Sequence, residues 1–122
     1  MSQLNLGQEL IIDSDYSTTE KKTGATWIDG KPIYRRVISG TTPSTSDYTQ
    51  ILSLSGIAFV ISSEGYVFDG SSTSYCLNWY ISATNFFSTI VKNDSVYVTM
   101  GASTGLKSKS IYIAIEYTKI TD

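Results

Sequence analysis

Between Ser110 and Ile120 the residues Ile111, Ile113, Ile115 and Tyr117 recur at every second position, interleaved with Tyr112, Ala114, Glu116 and Thr118. A period of two puts the four apolar side chains on one face of an extended strand, which the 3.6-residue period of a helix does not do. One apolar face has to be covered, so this run implies a sheet with a core on that side. Val96-Tyr97-Val98-Thr99-Met100 has the same β-branched and aromatic character, with Asn93-Asp94 ahead of it as a turn signal. Being neighbours in sequence, the two strands are expected to pair as a hairpin. The segment between them, 101–109, carries Gly101, Ser103 and Gly105 and reads as a flexible connecting loop.

Shorter pieces of the same kind fill the middle of the chain at 51–54, 56–62, 65–68, 77–82 and 89–92, separated by Gly, Ser and Asn-Asp clusters. Short strands at intervals of roughly 8 to 12 residues predict an all-β domain, an antiparallel β-sandwich of jelly-roll-like character. No stretch keeps helical spacing over three turns, so no long helix is expected. Residues 41–50 are polar, contain Pro43, and read as an exposed loop. A chain of 122 residues fits one domain. Residues 1–15 stand apart, because Leu4, Leu6, Leu10, Ile11 and Ile12 are broken up by Gly7, Asp13, Ser14 and Asp15. They read either as an arm that docks on another surface or as a first strand of the domain's own sheet, with the β-domain proper at 16–122.

Composition narrows the function classes. The net charge is -2 with no Lys/Arg cluster beyond a pair, which leaves no field to hold a phosphate backbone, so nucleic acid is not an expected partner. Cys76 is the only cysteine and there is no histidine, so neither an internal disulfide nor a thiolate metal cage is expected, and no cofactor is implied. Cys76 reads as a small buried apolar residue. Nothing approaches the roughly 20 apolar residues of a membrane helix, and the first residues lack the basic start of a secretory signal. A soluble protein is expected.

In Trp27-Ile28-Asp29-Gly30-Lys31-Pro32-Ile33-Tyr34 an Asp-Gly pair lies between two apolar-aromatic runs, the pattern of a two-residue hairpin turn with both central residues at positive φ. Pro32 cannot donate to a ladder and is expected at a strand start or an edge. Trp27 and Tyr34 are expected to pack on each other across the strands. Arg35 and Arg36 must point to opposite faces, with at least one reaching solvent or a carboxylate. The wider run from Tyr16 to Arg36, with Tyr16-Ser17-Thr18-Thr19-Glu20 followed by this hairpin, resembles the start of a domain found at the end of many phage tail-fibre and virion-fibre proteins. The closing Glu116-Tyr117-Thr118-Lys119-Ile120-Thr121-Asp122 is similar to the end of that family's domain. The resemblance implies a β-rich, trimeric module on a phage particle, often engaged in host attachment and not in catalysis. For a copy with this layout it implies a fibre tip, a head fibre or a capsid decoration protein, with residues 1–15 docking on other virion proteins.

The residues themselves give catalysis little support. Without histidine a Ser-His or Cys-His nucleophile cannot be assembled. Carboxylate pairs for glycoside cleavage would come from Asp29, Asp47, Glu64, Asp69, Asp94 and Glu116, but Asp29, Asp69 and Asp94 sit in turns whose backbone chemistry accounts for them. Glu116 reads as solvated. Binding-type side chains concentrate in Tyr66, Asp69, Tyr75, Asn78, Trp79 and Tyr80, followed by Asn85-Phe86-Phe87. Aromatic rings flanked by Asn and Asp suit a sugar, stacking on its face and hydrogen-bonding around its rim, and the same residues serve a trimer interface or the domain's own core. The expected partners are therefore a second and third copy of the chain, other virion proteins, and a glycan or protein of the host surface. The expected location is the virion, after assembly in the host cytoplasm.

Overall fold

A computed structural model describes residues 16–122; the arm assigned to 1–15 lies outside them. Among the described residues nine strands form two antiparallel sheets. They are β1 (Lys21–Thr26), β2 (Pro32–Thr41), β3 (Thr49–Ser53), β4 (Ile57–Phe68), β5 (Ser74–Cys76), β6 (Trp79–Ser82), β7 (Asn85–Val91), β8 (Ser95–Met100) and β9 (Ser110–Lys119). One sheet runs β1-β2-β9-β4-β5 and the other β3-β8-β7-β6. The domain is an antiparallel β-sandwich, as the alternation predicts.

The alternating run from Ser110 forms β9, the spine of the first sheet. β9 pairs with β2 on one side and β4 on the other, and Ile111, Ile113, Ile115 and Tyr117 are all buried on its inner face. Opposite them, Val96, Val98 and Met100 of β8 and Phe87 of β7 close the core from the second sheet. Burying each such side chain is worth about 1.5 to 3 kcal/mol.

The expected hairpin between β8 and β9 does not form. β8 pairs with β3 and β7, while β9 belongs to the other sheet. Both runs are apolar on one face because both line the same core, and periodicity carries no information about which sheet a strand joins. Nor is 101–109 a free loop. It crosses the end of the sandwich with Leu106 and Thr104 buried. Thr42 fastens it, donating to the Leu106 carbonyl at 2.6 Å and accepting from the Lys109 amide at 2.8 Å. A Cβ on Gly101 would lie 2.3 Å from the Thr84 backbone, so only glycine fits there.

Two other boundaries move. The pieces expected at 56–62 and 65–68 fall, apart from Gly56, in the single strand β4, which carries bulges between Ile57 and Phe59 and between Val60 and Ser62. Its polar centre, Ser62-Ser63-Glu64, reads as a break because a bulge shifts the alternation. Conversely, 77–82 is cut at Leu77-Asn78. The chain passes there from β5 in the first sheet to β6 in the second.

Candidate binding cleft

The two motifs that carry the family resemblance meet in space. Tyr34 pairs with Tyr117 and Arg35 with Glu116 across the β2-β9 ladder, and the two tyrosine rings stack with centroids 6.1 Å apart. Arg35 donates from Nε to Glu116 Oε2 at 2.8 Å, so Glu116 is ion-paired and not merely solvated. Lys31 reaches the Lys119 carbonyl at 3.2 Å, and Lys119 Nζ lies over the Tyr34 ring. Glu20 completes the cluster, accepting from the Tyr117 hydroxyl and from Lys119 Nζ, the latter at 2.8 Å. Burial pushes the Glu20 carboxyl up, but the hydrogen bonds from Lys119 and Tyr117 outweigh it and hold it below its ordinary value. Burial and the Glu20 hydrogen bond raise the Tyr117 phenol. By alternation Arg36 shares the core face with Tyr34 and Ile38, in register with Ile115, and its buried Nε makes no hydrogen bond among the described residues.

The hairpin differs in detail from the expected turn. Trp27 N–H donates to the Lys31 carbonyl and Gly30 N–H to the Trp27 carbonyl, both at 2.9 Å, so Ile28, Asp29 and Gly30 form a three-residue loop. Only Gly30 takes positive φ, at 87°; Asp29 instead accepts the Lys31 amide on Oδ1 at 3.0 Å. Pro32 opens β2, as its missing donor requires. Trp27 stacks on Phe59 of β4 at 5.7 Å, so it and Tyr34 pack on different strands and not on each other. Trp27, Asp29, Gly30, Lys31, Pro32 and Tyr34 are thus explained by backbone geometry or packing, while Ile28 is exposed at the loop.

The six candidate recognition residues are distributed over four places. Tyr66 projects from the outer face of the first sheet, its ring 5.3 Å from Tyr112, and with Tyr16, Val37 and Ala114 it borders a shallow groove of about 510 Å³. Tyr80 lies on the outer face of the second sheet, 71 % exposed and stacked on Phe86. Asn78 is used internally, its Oδ1 accepting the Thr89 amide at 2.8 Å where the chain changes sheets. Asp69, Tyr75 and Trp79 come together.

Those three border a cleft of about 750 Å³ at the open edge of the sandwich, where β5 ends one sheet and β6 the other. The Tyr75 and Trp79 rings lie 5.8 Å apart, tilted by 32°. Trp79 packs on the core on its inner side, paired with Phe87. Asn85 and Ser103 supply amide and hydroxyl groups to the rim, and Ile81 and Leu106 add apolar surface. Asp69 is held by the β4-β5 turn, where Oδ1 accepts from the amides of Ser71, Ser72 and Thr73 at 2.8, 3.0 and 3.1 Å. These bonds, led by those from Ser71 and Thr73, lower its pKa to about 2. Cys76 also borders the cleft and is exposed, not buried; its thiol donates to the Asn78 carbonyl at 3.3 Å.

Asn85, which the sequence places beside the aromatic run, does border this cleft, whereas sequence reasoning missed Ser103 and Leu106 as its members, and Tyr16 and Tyr112 as partners of Tyr66. Tyr112 was within reach, since it alternates opposite to Ile111 and Ile113. Ser103 and Leu106 had no local signal, because only the crossing of 101–109 between sheets brings them to the edge. Among the described residues no group of His, Cys, Asp and Glu is placed to hold a metal ion. No family model, no curated protein and no solved structure matches the chain.

Proposed function

We propose that the chain is a non-catalytic virion surface module, a phage fibre tip or head-fibre protein that attaches the particle to its bacterial host. The observation that carries attachment is the Tyr75-Trp79 cleft. It has paired aromatic rings, a polar rim and a volume within the roughly 300 to 1,000 Å³ of small-ligand sites. The resemblance of residues 16–36 and 116–122 to the terminal domain of phage fibres supplies the virion context. Its two halves form one interlocked cluster here, as expected of a motif that serves the scaffold.

Homotrimeric assembly belongs to the same reading. The exposed aromatic groups on both outer faces, Tyr66 with Tyr112 and Tyr80 with Phe86, are surfaces of the kind that subunit contacts use. Light-scattering mass measurement of the full chain, beside a chain lacking residues 1–15, reads the assembly and the contribution of that segment. Attachment is tested by adding the purified chain to host cells ahead of the phage that encodes it. Reduced adsorption is the expected result; undiminished adsorption at saturating protein overturns the reading.

A further inference from the structure

We infer that the Tyr75-Trp79 cleft takes an uncharged saccharide, one pyranose ring stacked on the aromatic pair and its hydroxyls hydrogen-bonded to Asn85, Ser103 and the Asp69 carboxylate. This rests on the attachment reading and names the ligand of the same cleft.

Three features select this chemistry. The first is shape. Two rings 5.8 Å apart and tilted by 32° leave a splayed apolar wall at an open edge, suited to the C–H face of a sugar. A flat hydrophobic protein contact would be served better by the outer sheet faces. The second is the polar inventory. Asn85 offers an amide with both donor and acceptor character, and its side chain makes no hydrogen bond among the described residues. Ser103 Oγ donates to the Thr84 carbonyl at 2.5 Å, which leaves its lone pairs as acceptors for a ligand hydroxyl. Sugar hydroxyls, which donate and accept, match this set. The third is charge. Asp69 is the one charged residue bordering the cleft among the described residues, and the turn amides hold its carboxyl well below the ordinary carboxylate value. Lys109 approaches the same turn at Gly70 without bordering the cleft. A carboxylate accepts hydroxyl donors well and repels uronate or phosphate groups held against it.

The edge geometry also disfavours a peptide. Strand addition needs a long free edge, whereas β5 has 3 residues and β6 has 4.

The test is binding of the purified full chain to immobilised neutral oligosaccharides of hexoses and N-acetylhexosamines, beside uronic-acid and glycerol-phosphate polymers. Binding to one or more neutral oligosaccharides and not to the anionic polymers is expected. Tyr75→Ala, which removes a half-exposed ring, should weaken that binding about tenfold or more, the scale of losing an aromatic anchor. Asp69→Asn keeps an oxygen on the turn amides while removing the charge, and it should admit anionic sugars that the parent chain rejects. Preference of the parent chain for the anionic polymers, or full neutral-glycan binding by Tyr75→Ala, overturns the assignment. So does binding to host cells that protease treatment of those cells abolishes. In each of these cases competition for adsorption can still succeed, so the ligand class falls while attachment stands.

Discussion

Two regions of the sandwich, the β2-β9 ladder and the β5-β6 edge, differ in what their polar side chains do. Around β2 and β9, Glu20, Tyr34, Arg35, Glu116, Tyr117 and Lys119 direct their polar atoms or rings at one another. Around β5 and β6, Asp69 and Asn78 accept backbone amides and the Cys76 thiol and Ser103 hydroxyl donate to carbonyls, but the aromatic pair borders an open cleft and the Asn85 side chain makes no hydrogen bond among the described residues. The recognisable end is the scaffold. The end without a familiar pattern has hydrogen-bonding capacity to spare, which is what a binding surface requires. A motif that fixes a fold therefore need not mark the residues that act.

The comparison breaks most severely if the scaffold end proves dispensable. Ile115 is fully buried on β9, in register with Arg36 and Ser63. Truncation to alanine opens a cavity between the sheets, and Ile115→Ala should cost about 2 to 5 kcal/mol in chemical denaturation. A loss below about 1 kcal/mol would mean that the β9 face is not the core.

A smaller effect is expected at the cleft end. Gly101 has no room for a Cβ, which would lie 2.3 Å from the Thr84 backbone, so Gly101→Ala must push 101–109 away from the β6-β7 turn. Overpacking of this kind costs about 1 to 3 kcal/mol. Because Ser103 and Leu106 lie on the displaced segment, neutral-glycan binding should fall along with stability. Ile115→Ala, measured where it is still folded, should leave binding intact.

How much of this was legible in the sequence follows from which forces are local. The inner face of β9 could be read directly, because alternation is a property of consecutive residues. So could the start of β2 at Pro32, and the Asx-type turns at Asp29 and Asp69, where side chain and backbone lie within a few residues. Sheet membership could not be read. β8 and β9 have equivalent patterns, and what separates them is the burial of Leu106 and the Thr42 clasp, both set by contacts distant in sequence. The same limit applies to the site. Tyr66, Asn78, Trp79 and Tyr80 are close in sequence, yet the sheet change at Leu77-Asn78 and the pleat of β6 send them in different directions, and the cleft forms from Asp69, Tyr75 and Trp79 with residues supplied by 101–109. Proximity along the chain indicated the neighbourhood without indicating the surface.

The smallest expected effect is electrostatic and belongs to the scaffold end alone. Glu20 ties the segment before β1 to Tyr117 and Lys119, and in the folded chain its carboxyl lies below the ordinary value of 4.5. A carboxyl depressed by folding contributes stability that is fully present above its unfolded pKa and is lost as pH falls through the folded one. Glu20→Gln should therefore lower stability by less than about 1 kcal/mol near neutral pH, since the pair is partly exposed. The gap between variant and parent should close as pH falls below 4.5. On the alkaline side the same gap should narrow above the ordinary Lys119 value of 10.5, because Glu20 raises that ammonium and the pair is lost when it deprotonates. Glycan binding should not follow either change, because the cleft's one carboxylate, Asp69, titrates at about 2. Parallel pH curves for stability and binding would mean that the two ends are coupled, and the division between scaffold and site would have to be given up.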